Sequence, residues 1–127
     1  MKIPIVFLCQ SLIFSPIFSD IKPARPSVQE SDDAITVFRE EGKPIFQYLK
    51  KPSMDSKKHA PHFSRSGYIH PLYSPSGRII TGDYAADHPH QHGLFFAWTK
   101  SSFRGIPTEF WNQKKQLGDI RYQGSEW

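Results

Sequence analysis

A chain of 127 residues with 38% hydrophobic content has room for one domain and a modest core, because small domains bury a limited share of their surface. Its formal charge of +4 is mild, and its basic residues are scattered in pairs (Lys50-Lys51, Lys57-Lys58, Lys114-Lys115). A nucleic-acid binder shows a denser basic stripe, so nucleic acid is excluded as the expected partner.

Residues 1–19 read as a secretory signal peptide: Lys2 is the positive start, Ile3 to Phe18 a largely apolar run, and Ser15 to Ser19 the cleavage zone. Pro4, Gln10 and Pro16 interrupt that run, and it falls short of the roughly 20 apolar residues a membrane span needs, so no stable span is expected. The single cysteine, Cys9, follows Leu8 rather than a small residue, which argues against a lipid anchor there. Cleavage would leave a chain with no cysteine, hence no disulfide and no thiolate ligand or nucleophile. The expected location is periplasmic or extracellular.

Residues 20–33, with two prolines after Ile21 and little apolar content, read as a linker. The β-domain is expected over 34–127. Ala34 to Arg39 alternates, Ile35 and Val37 on one face and Thr36 and Phe38 on the other; Glu40 to Pro44 is a turn and Ile45 to Leu49 a second strand, which makes a hairpin. Lys51 to Ser66 is a long polar loop, and its His59 and His62 are expected to be surface groups without a role. Tyr68 to Tyr73 is a strand that Pro71 confines to an edge or bulge. Ser74-Pro75-Ser76-Gly77 is a turn and Arg78 to Thr81 a short strand. Leu94 to Thr99 is the most apolar run after residue 19 and reads as a buried central strand with Trp98 in the core. Thr108 to Asn112 and Gly118 onward read as further strands, and no stretch keeps a helical period with caps. The expected class is all-β, a β-sandwich or jelly roll. The last run ends on Trp127 without a polar tail, so the domain reads as incomplete, the N-terminal part of a longer β-protein.

The loop from Gly82 to Gly93 holds three of the six histidines within Asp87-His88-Pro89-His90-Gln91-His92-Gly93. On an extended backbone His88, His90 and His92 would share one face and could bind zinc or another divalent metal, with Asp87 orienting one ring. Gly82 followed after five residues by His88-Pro-His90 is similar to the first metal motif of cupins, but the glutamate that motif needs is replaced by the region of Leu94, Phe95 and Phe96. The same groups support proton transfer without a metal, since histidine titrates near neutrality. Asp87, His88 and His92 are the catalytic candidates. His70, Arg78, Tyr84, His90 and Trp111 are the ligand-binding candidates, the aromatics offering flat surfaces to a sugar and Arg78 a clamp for a carboxylate.

The blocks Tyr68-Ile-His-Pro-Leu-Tyr-Ser-Pro-Ser-Gly-Arg78, Asp83-Tyr84, Asp87-His88 through Trp98, and Phe110-Trp111-Asn112 resemble an exported bacterial family that carries the label "methane oxygenase PmoA". The resemblance covers about residues 35–127. It implies an exported β-sandwich protein whose members are longer than this chain. The activity in that label belongs to a polytopic helical membrane protein, and nothing after residue 19 has the apolar length for one such span. The sequence therefore leads to an exported β-sandwich protein that binds or acts on a carbohydrate-like ligand through its His-rich loop. The alternatives are a non-catalytic binding or structural module and a metal-dependent site of cupin-like type.

Overall fold

The structure, a computed structural model, describes residues 25–54 and 56–126. The signal-peptide reading of residues 1–19 and Cys9 lie outside them. The fold is all-β, its strands antiparallel, and among the described residues the helical content is two single 3-10 turns, Pro61–Phe63 and Gln113–Lys115. Among the described residues no helix is long and apolar enough to cross a membrane.

Four strands form the main sheet in sequential order: β1 (Ser27–Glu30), β2 (Ala34–Phe38), β3 (Pro44–Leu49) and β4 (Tyr68–Leu72). The expected hairpin is β2–β3, with Ile35 opposite Tyr48 and Val37 opposite Phe46. Its turn closes through Gly42 N–H donating to Arg39 O (2.9 Å), with Gly42 in the left-handed region at φ 74°. β1 corrects the linker reading. Its four residues are all exposed, so no apolar pattern announces it; backbone pairing to β2 makes it a strand.

The register fixes two faces. Ala34, Leu49 and Tyr68 align across β2, β3 and β4 and form the buried core, with Phe95 packed against it. On the opposite face Ile35, Val37, Phe46, Tyr48 and Ile69 line an apolar hollow that Tyr122 partly covers. β4 is the last strand of this sheet, as Pro71 requires, and beyond it the Ile69–Leu94 bridge and the Ile80 N–H bond to Leu72 O continue the pairing.

β5 (Ser101–Phe103) and β6 (Ile106–Thr108) form a separate ribbon. Three strand expectations are corrected. Leu94–Thr99 is not a buried strand: Phe96 is 76% and Trp98 54% exposed, because among the described residues no second layer covers them. The strand expected at 108–112 is displaced to β6, and 118–126 is irregular. Arg78–Thr81 contributes one bridge, Tyr73–Ile79.

Candidate functional site

Tyr68 at the start of β4 points its ring into the core face, where it is 1% exposed, and its hydroxyl must find a partner there. It donates to Asp83 Oδ2 at 2.7 Å. Ser53 Oγ, from the long loop, donates to the same oxygen at 3.0 Å, and the Asp83 Oδ1 atom accepts from Tyr84 N–H at 3.1 Å. The fourth partner is His92, whose Nδ1 lies 2.9 Å from Asp83 Oδ1 with the His92 side chain fully out of solvent.

Local chain geometry brings Asp83 and His92 together. Residues 84–91 fold back on themselves, with Tyr84 N–H donating to Gln91 O (3.1 Å), His88 N–H to Ala85 O (3.0 Å) and Gln91 N–H to His88 O (2.9 Å). Position 83 therefore faces position 92. Tyr84, at φ 49°, stands edge-on to the His92 ring (centroids 4.7 Å apart). Gly93 then lies against β4 so closely that a Cβ there would run into the Ile69 carbonyl oxygen.

The other His92 nitrogen, Nε2, lies 2.8 Å from Gln113 Oε1, while Gln113 Nε2 donates to Ser64 O at 3.2 Å. Turning the amide over would set its oxygen against the Ser64 carbonyl, so the amide oxygen faces the ring. Both ring nitrogens are thus engaged, Nδ1 with Asp83 and Nε2 with Gln113. Burial by itself would raise the Asp83 carboxyl pKa. Hydrogen bonds from His92, Tyr68 and Ser53, with the charge on His92, outweigh burial and hold the carboxyl below its usual range. Burial pushes the Tyr68 and Tyr84 hydroxyls upward.

The loop's other groups form an outer layer. Asp87 and His88 pair at 3.0 Å with side chains 81% and 51% exposed. His90 stands edge-on between His88 (5.7 Å) and Trp111 (5.3 Å), and its pKa is lowered by burial and by the charges of the two neighbouring histidines. A hydrogen bond from its own backbone N–H, then His88, holds Asp87 low. His70 Nδ1 lies 2.9 Å from Thr81 Oγ1, and Arg78 sits exposed in the 74–78 turn, away from this layer.

The structure thus divides the sequence candidates. Tyr84 and His92 belong to the buried network, Asp87, His88, His90 and Trp111 to the outer layer, and His70 and Arg78 to neither. The metal triad is corrected: the turn at 88–91 leaves the His88 and His90 rings side by side in the outer layer and sends His92 into the buried network. Among the described residues no three His, Cys, Asp or Glu side chains are grouped to hold a metal ion. Asp83, Tyr68, Ser53 and Gln113 were missed as site residues. Asp87 drew attention by adjacency to His88, whereas the buried carboxylate lies nine positions before His92.

A cavity of about 310 Å³ opens beside the network, lined by Gly82, Asp83, Ala85, Gln91, His92 and Gly93. That is the lower end of the range for small-molecule sites.

The model of a family of unknown function, DUF6807, matches residues 36–126. No curated protein matches the chain, and no solved structure does.

Proposed function

From the premise that the chain belongs to DUF6807, the family matched over residues 36–126, we propose that it is an exported ligand-binding protein. The Gly82–Gly93 loop is its binding element and a carbohydrate-like molecule its ligand. The observation that carries this reading is the 310 Å³ cavity set against a buried, fully partnered Asp83–His92–Gln113 chain. A rigid polar back wall beside polar Gln91 suits hydroxyl groups, and His90 of the loop with Trp111, which it meets edge-on from the segment after β6, adds ring surface. Residues 1–19 serve export.

Both His92 nitrogens are engaged, so the ring has no free nitrogen to take a proton from a ligand. Binding is favoured over catalysis on that ground. Isothermal titration with glucose, xylose, galactose and cellobiose tests the proposal. Saturable binding by one of them, weakened at least tenfold in Gln91→Ala or Trp111→Ala without loss of folding, is expected. Flat titrations for all four would remove the carbohydrate class. N-terminal sequencing of the exported form checks cleavage at the end of residues 1–19.

A second reading rests on the Asp83–His92 contact, the arrangement of a carboxylate-oriented general base. It requires Gln113 to release Nε2 when a ligand enters. Turnover of a bound sugar that Gln113→Ala accelerates would favour this reading.

A further inference from the structure

On the far side of Gln113 lies a second cavity of about 340 Å³, between the two 3-10 turns and the 117–121 segment. His62, Gln113, Gln116, Asp119 and Arg121 stand in its wall. Its chemistry differs from that of the loop cavity.

Arg121 commits Nε to Asp119 (2.6 Å) and Nη1 to Ser64 Oγ (3.1 Å), which fixes the plane of its half-exposed guanidinium. His62 Nε2 is buried and has no hydrogen-bond partner among the described residues. Behind this wall runs Ser64-Arg65-Ser66, tied to it by Ser64 O accepting from Gln113 and Ser66 Oγ accepting from Tyr122 N–H (2.9 Å). Arg65 is 1% exposed and lies over the Phe95 ring; Nη2 donates to Phe96 O (3.0 Å), while Nε and Nη1 have no partner among the described residues. Unpartnered polar groups are costly when buried, and a buried cation more so. In the wall itself one guanidinium, Arg121, is paired with one carboxylate, Asp119, beside the unpartnered His62 nitrogen. The Arg121 guanidinium and the His62 ring suit an anion, and the amides with Asp119 suit hydroxyl groups.

We propose that this cavity is a second ligand site, built for a small hydroxy-carboxylate. The carboxylate lies on the Arg121 and His62 side, and its hydroxyls bond to Gln116 and Asp119. The site is distinct from the loop cavity, with which it shares no lining residue.

The test is nuclear magnetic resonance titration of the 15N-labelled full chain with sodium gluconate, beside glucose (hydroxyls without charge) and acetate (charge without hydroxyls). Saturable gluconate shifts are expected at the Gln113 and Gln116 side-chain amides and Arg121 Nε, with glucose and acetate at least tenfold weaker. Arg121→Gln, at a half-exposed position, should fold and weaken gluconate at least tenfold; His62→Phe, a ring of similar size, should do the same. Absent saturation, equal binding of glucose or acetate, or undiminished affinity in both variants would overturn the proposal. Trp111→Ala should leave gluconate binding unchanged, which separates this result from the fate of the loop site.

Discussion

His92 and Asp83 hold each other at 2.9 Å, nine positions apart in sequence, with their side chains 0% and 9% exposed. A pair so withdrawn from water is tolerable because each remaining polar atom has a partner: Tyr68, Ser53 and Tyr84 N–H on the carboxylate, Gln113 on the ring.

Removing one member leaves the other buried without its partner. His92→Ala should cost about 3–5 kcal/mol, the usual effect of breaking a buried charged pair. His88→Ala, at an exposed side chain, should stay within about 0.5 kcal/mol. Urea unfolding of the two variants checks both, and equal losses would contradict the buried and exposed assignments.

The depressed Asp83 carboxyl gives stability a pH signature. Its folded pKa lies below the ordinary 3.8, so its contribution is complete above that value and is lost as pH falls through the folded pKa. Thermal unfolding between pH 6 and 2 should show acid destabilisation that Asp83→Asn reduces. An identical pH dependence in both proteins would place the acid sensitivity elsewhere.

Gly93 has no room for a side chain. A Cβ would meet the Ile69 carbonyl oxygen and lie 2.9 Å from the His70 Cβ, so Gly93→Ala must push the loop off β4. A loss of about 2–3 kcal/mol is expected. Gly77→Ala, where a Cβ meets nothing within 4 Å but φ is 83°, should cost about 1 kcal/mol through backbone strain alone.

Phe96 and Trp98 stack on each other with centroids 5.8 Å apart and remain mostly in water. Phe96→Ser should therefore change the unfolding free energy by less than about 0.5 kcal/mol. It should also reduce concentration-dependent association, read by light scattering, because exposed apolar patches favour sticking. Phe95→Ser, whose ring carries Arg65 and meets His92 edge-on, should destabilise the fold by about 3 kcal/mol.

The hairpin and the Ser74–Gly77 turn were legible because alternation and Pro/Gly placement act locally. The edge position of β4 followed from Pro71 for the same reason. The run at 94–98 misled, since an apolar run signals burial only where another layer covers it, and composition does not report the layer. Asp83 was hidden by a different cause. Its partnership with His92 depends on residues 84–91 doubling back, a feature encoded by turns rather than by spacing. Gln113 was less readable still, being a neutral amide 21 positions from the ring it holds.

Gln113 stands in the wall of one hollow and grips the imidazole that borders the other. A guest that draws this amide toward itself on one side must loosen the histidine on the opposite side. Thermodynamic reciprocity then gives the two vestibules one common coupling, equal in both directions, through a single side chain.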